Sequence, residues 1–221
     1  MKRRVRSFSG SRPVFTGAVS IVPGGYNLDK TNQSFAADAV IPEGSLAIVD
    51  ETNRTVQIIK TAKVVAIDAD DAKKVSLKVS EFYEPLFVAG EPVYKAGFSA
   101  NSVAWSNVPT ISNVKRTDNS FDIVLSAAIT GLAVGDVLEI VQKVTVGSNE
   151  QAADYAAEIG TATRLTVSDV EVRDFETPID VTADTLQYAL YKNRVAPIPA
   201  SQISGEYLAG NCHIRLTEAQ C

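Results

Sequence analysis

Cys212 and His213 are adjacent in "NCHIRLTEAQC", and a thiol beside an imidazole is the pairing that an activated cysteine nucleophile needs. The segment reads as a short strand, however, and neighbours on a strand point to opposite faces. A surface or packed histidine is therefore expected. His213 is the only histidine in the chain, so a Ser-His-Asp triad would have to use it too, and no GxSxG elbow is present. Cys212 and Cys221 could bridge to each other or between subunits; with no export signal, free thiols are expected. Two cysteines and one histidine do not make a zinc set.

Two acidic clusters invite metal or acid–base chemistry. "DADDAK", with Asp68, Asp70 and Asp71, opens like a calcium loop, but the sixth and twelfth positions hold Lys73 and Val79 where glycine and glutamate are needed. A solvated hairpin turn is the expectation there. "SDVEVRDFE" carries Asp169, Glu171, Asp174 and Glu176, and paired carboxylates serve glycosidases. Arg173 interrupts them, no aromatic cluster accompanies them, and an exposed strand face is expected. Trp105, in "NSVAWSNVPTISNV", could be a sugar platform or an interface anchor. The plainer reading is a partly buried core residue.

The elements that would position these residues are strands. "KKVSLKVSEF" at 73–82 alternates, with Val75, Leu77 and Val79 on one face and Lys74, Ser76, Lys78 and Ser80 on the other. "NSFDIVLS" and "DVLEIVQKVTV" repeat the habit, and the "DETNR" insert predicts a hairpin turn within 45–67. "PLFVAGEPVYKAG" and "LAVGDVLEIV" share apolar residues, a glycine, an acid and then a strand; "IPEGSLAIVD" is a looser copy with the acid first. Gly90 and Gly135 are expected at positive φ, with the acid bonding nearby backbone in a turn. The GxxxxGK[ST] phosphate loop is absent. After residue 147, "GSNEQAADYAAEIG" has Ser148 and Gln151 at capping-box spacing and predicts a helix over 149–159. "TADTLQYALYKN" predicts a second over 182–193, with Leu186, Ala189 and Leu190 on one face. Pro197 and Pro199 favour an extended segment. The expected fold is mainly β: an extended basic arm (1–13), a small β-barrel or sandwich (14–147) and a smaller α/β C-terminal part (148–221).

Charge is unevenly placed. Lys2, Arg3, Arg4, Arg6 and Arg12 put five of the 21 Lys and Arg in the first dozen residues, which hold no acid; the other 16 face 26 acids. A basic arm on an acidic body suggests that the arm has its own partner, against the alternative of a solvated tail. The acidic body argues against nucleic acid as the main ligand. Apolar runs such as "KVVAI" are too short to span a bilayer, and no apolar leader follows the basic start.

Across 41–146, "VIPEGSLAIVDETNRTVQIIKTAKVVAI", "FVAGEPVYKAG" and "GLAVGDVLEIV" resemble the accessory head proteins of tailed bacteriophages: decoration or cement proteins and head fibre proteins. "VTADTLQYALYKNRVAPIPASQISGEYL" is similar in style to C-terminal segments of head fibre proteins. The resemblance implies an extended arm, a small β-barrel, a homotrimer, the major capsid protein as partner, and a place on the virion's outer capsid surface after synthesis in the host cytoplasm. It implies no enzymatic activity, cofactor or metal, and it makes Lys2, Arg3, Arg4, Arg6 and Arg12 the partner-binding residues. The alternative is a carbohydrate- or host-surface-binding β module centred on Trp105 or on 147–221. A hydrolase using Asp169, Glu171 or His213 is a third reading.

Overall fold

The structure, a computed structural model, describes residues 13–22, 25–117, 119–148, 152–173, 176–183 and 187–218. Eighteen strands are described. In chain order they are β1 (Tyr26–Leu28), β2 (Val40–Ile41), β3 (Leu46–Asp50), β4 (Thr55–Ile58), β5 (Thr61–Ile67), β6 (Lys74–Leu77), β7 (Val93–Lys95), β8 (Ile111–Arg116) and β9 (Phe121–Leu125). Then come β10 (Val137–Val146), β11 (Ala153–Glu158), β12 (Arg164–Leu165), β13 (Val170–Glu171), β14 (Pro178–Ile179), β15 (Tyr188–Tyr191), β16 (Ile203–Ser204), β17 (Tyr207–Leu208) and β18 (Asn211–Thr217). The chain is mainly β, and its helical content is confined to short turns.

A seven-stranded sheet in the order β11-β10-β5-β6-β9-β8, with β7 also on β10, curls into a half barrel. Its alternation is the one expected: Val75 and Leu77 of β6 and Phe121, Ile123 and Leu125 of β9 are all buried, while Lys74 is exposed. These side chains form one core with Val64, Phe87, Val93 and Leu138. The "DETNR" insert is the turn of the β3–β4 hairpin, whose strands pair from Ala47–Ile58 to Asp50–Thr55. β5 then leaves that hairpin for the half barrel, with Ile59 and Lys60 between the two strands.

The five-stranded sheet runs β12-β3-β4-β1-β14, and a four-stranded sheet runs β15-β18-β17-β16. β11, β12, β13 and β14, all after residue 148, therefore pair with strands that precede it, whereas the four-stranded sheet is built from later strands alone. Residues 14–22 make only isolated bridges, Phe15 to Leu190 and Ile21 to Thr182.

Neither expected helix forms. Residues 153–158 are β11, in antiparallel register with Val141–Val146. The second half of β10 needs a partner for its backbone groups, and a six-residue ladder outweighs alanine's modest helical preference. Gln151 of the expected capping box lies outside the described residues. Within the second of these spans Tyr188–Tyr191 form β15, parallel to Ile214–Thr217 of β18. Ala189 and Leu190, expected on one helical face, are instead consecutive strand residues: Leu190 is buried and Ala189 half-buried. Leu186 lies outside the described residues. Residues 197–199 lie outside any helix, with Pro199 at φ −58° and ψ 150°, and a 3-10 turn at Ala200–Gln202 follows.

Candidate functional site

The three glycine motifs build one kind of turn. Glu91 N–H donates to Val88 O (3.4 Å), Asp136 N–H to Ala133 O (3.1 Å) and Ser45 N–H to Pro42 O (3.3 Å). The third residue of each is glycine at positive φ: Gly90 at 93°, Gly135 at 100° and Gly44 at 79°. This is the type II pattern, which glycine adopts without strain. The acids do what was expected of them. Glu91 Oε2 accepts from Val88 N–H (2.9 Å) and Asp136 Oδ2 from Ala133 N–H (2.7 Å). In the third copy Ser45 takes the acid's place and donates its hydroxyl to Pro42 O (2.8 Å).

At the first of these turns the structure opens a cleft of about 710 Å3, bounded by residues 32–34, the 89–92 turn, Trp105 and the middle of β10. Glu91, one of its lining residues, is held from behind by the buried Lys60. Lys60 is 1% exposed and bonds both Glu91 Oε1 and Ser34 O, with its ammonium 4.1 Å from the centroid of Phe35. Burial pushes Lys60 below its ordinary pKa and Glu91 above its own, and the attraction of each for the other opposes both shifts. Beside them Gln33 is fixed twice to one residue: Nε2 donates to Ile58 O and Oε1 accepts from Ile58 N–H, both at 2.7 Å.

Behind the lining residues Asn32 and Gln57, Asp29 Oδ2 accepts from Asn32 Nδ2 (2.8 Å) and Gln57 Nε2 (2.9 Å), while Oδ1 accepts from the N–H of Thr31 and Asn32. Partial burial alone would raise the Asp29 pKa, but these bonds outweigh it and hold the carboxyl below its ordinary range. Gln142 Nε2 is tied to Glu158 O (3.0 Å). Trp105 is half-buried in a 3-10 turn, lines the cleft, and belongs to none of the three core clusters. Its turn is stitched to β11 by Ala156 N–H on Val103 O (2.9 Å). The core reading of Trp105 gives way to a rim position.

The other candidates do not converge. Lys2, Arg3, Arg4, Arg6 and Arg12 lie outside the described residues, as do Cys221 and Asp174. Cys212 is exposed with a free thiol, and His213 beside it is exposed as well, where β18 bulges against β17. Asp68 accepts the N–H groups of Asp70 (2.9 Å) and Asp71 (3.0 Å), so "DADDAK" is the solvated turn between β5 and β6. Asp169 Oδ1 accepts from Glu43 N–H (2.9 Å), while Glu171 and Glu176 are exposed. Among the described residues no group of three His, Cys, Asp or Glu could hold a metal ion. No helix among them is long and apolar enough to cross a membrane.

Lys60 had one signal in the sequence, a cation embedded in "QIIKTAKVV". The amides at 32, 57 and 142 had none, because their meeting depends on pairings between distant strands. Comparisons with protein-family models, with curated proteins and with solved structures found no match in any of the three.

Proposed function

We propose that the chain is a non-enzymatic structural protein of a phage virion, which binds the outer capsid surface as a homotrimer and braces neighbouring major capsid subunits. The supporting observation is the way the residues following the basic segment are fixed. Thr16 N–H donates to Ala189 O and Tyr191 N–H to Val14 O, both at 2.9 Å, so this stretch lies antiparallel beside β15. Arg194 Nη1 donates to Pro13 O (2.6 Å). Val14 and Phe15 are buried, and Phe15 packs edge-on against Tyr188 at 5.7 Å.

Five cations thus precede a root that is held rigidly on the body. A basic segment with a fixed root suits a docking arm better than a free tail, since the fixed end reduces the ordering cost of binding. Charge-assisted bonds from Arg3, Arg4, Arg6 and Arg12 to acidic capsid patches would supply the contact. A protein that bridges subunits stabilises the closed shell by mass action and multivalency.

The test is co-sedimentation of the purified chain with shells assembled from a major capsid protein encoded in the same genome. The full chain should pellet with the shells, and a chain lacking residues 1–12 should stay in solution with its circular dichroism unchanged. Equal pelleting of both forms sinks the arm, and failure of both sinks the capsid reading. Light scattering of the full chain should give a trimer mass.

A further inference from the structure

We infer that the cleft beside Trp105 is a binding site for an uncharged saccharide, with the indole as stacking platform and side-chain amides as hydrogen-bond partners of its hydroxyls. The inference rests on the cleft alone and does not depend on the capsid reading.

Size comes first. A cleft of about 710 Å3 falls within the range of small-molecule sites, roughly 300–1,000 Å3. Shape and chemistry narrow the ligand. Trp105 is partly exposed at the rim, and the backbone beside it is fixed to β11. A half-exposed indole offers a flat apolar face, which suits the C–H face of a pyranose ring.

The polar lining is dominated by amides whose polarity is already set. Each NH2 group has one N–H committed, those of Asn32 and Gln57 to Asp29 and that of Gln142 to Glu158 O, and keeps a second N–H as donor. Among the described residues the side-chain oxygens of these three have no bonded partner and remain acceptors. Sugar hydroxyls both donate and accept and so answer both halves of each amide, whereas carboxylates and phosphates bring only acceptors and leave the amide oxygens unanswered.

Charge gives the sharpest discrimination. Only Glu91 and Lys143 among the lining residues are charged. Both Glu91 oxygens are occupied, by Lys60 and by Val88 N–H, and Lys143 pairs with Asp154 at 3.2 Å. An anionic ligand would find only Lys143, an exposed and solvent-screened lysine already paired, and a cationic ligand would find no free carboxylate. Gln33, fixed through both ends of its amide to Ile58, needs no further ordering on binding.

Trp105 is the chain's only tryptophan, so its emission reports on this site directly. The full chain is titrated with neutral disaccharides (cellobiose, lactose, maltose and chitobiose), with glucuronate and sialic acid as anionic probes. At least one neutral disaccharide should shift the emission saturably in the millimolar range or below, and the anions should not. By isothermal titration Trp105→Ala should weaken that binding by about tenfold or more, Trp105→Phe should keep much of it, and Gln142→Ala should weaken it several-fold. Circular dichroism confirms that each variant is folded. The site is overturned if no neutral sugar binds the folded chain, if only the anions bind, or if binding survives Trp105→Ala.

Discussion

Glu91 and Asp136 occupy the same position of the same turn, each accepting the backbone N–H three residues back, and each then holds a lysine. Glu91 takes Lys60 in the interior; Asp136 takes Lys95 at 2.9 Å near the surface. The bond from Lys95 is the main cause holding the Asp136 carboxyl below its ordinary pKa, with Ala133 N–H adding to it. One local device therefore serves two ends: a solvated turn at Asp136, and the lining of the cleft at Glu91.

Alanine at the three turn glycines should separate backbone strain from crowding. A Cβ at Gly90 or Gly135 meets nothing within 4 Å, so only the positive φ opposes it, at about 1–2 kcal/mol. A Cβ at Gly44 would lie 2.6 Å from Val195 Cγ1 and 2.7 Å from Val14 Cγ1, both in the core. Gly44→Ala should therefore be the most destabilising of the three in urea titrations, and equal midpoints for all three would refute the crowding.

Breaking the Lys60–Glu91 pair from one side should cost far more than removing it. Lys60→Met leaves a buried carboxylate without its cation, an effect of roughly 3–5 kcal/mol. Adding Glu91→Gln removes the charge while an amide oxygen can still accept from Val88 N–H. The double variant should recover at least half of the loss. A double variant as unstable as Lys60→Met would show that the pair contributes through packing rather than charge.

The strands that were legible were those with a period of two and a charged face, such as β6 and β9. The turns were legible because glycine and a following acid are a local device. β11 and β15 were not, because "ADYAAE" and "YALY" are compatible with either helix or strand. Their partners at 141–146 and 214–217 decide the matter, and pairing across the chain leaves no local mark. The site divides in the same way: Trp105 stood out by rarity, whereas Asn32, Gln57 and Gln142 acquire meaning only when β1, β4 and β10 are brought together.

Truncation should find the boundary between arm and body at Val14. Removing residues 1–12 should leave the unfolding midpoint within about 2 °C of the full chain. Removing 1–16 deletes Val14 and Phe15 from the core and both backbone bonds to β15, and should cost about 3 kcal/mol or more. Thermal unfolding followed by circular dichroism reads this directly. A large loss already at 1–12 would mean that the basic segment belongs to the fold.

Glu139 gives the pH dependence a definite sign. It is 1% exposed, its Oε1 has no hydrogen-bond partner, and it lies on β10 near Glu158 of β11. Burial pushes its carboxyl up to about 8, with the Glu158 charge adding to the shift. The folded chain therefore keeps this proton while the unfolded chain releases it above the ordinary value of 4.5. Folding stability should fall as pH rises from about 4.5 to about 8, by roughly 2–4 kcal/mol from this group after allowing for relaxation, and then level off. Glu139→Gln keeps the shape and cannot ionise, so it should remove that decline and be more stable than the wild type at pH 8. Urea unfolding of both proteins at pH 5 and pH 8 tests this. An equal pH dependence in the two would place the ionisation elsewhere; a glutamine variant less stable at pH 8 would mean that the carboxylate is satisfied where it sits.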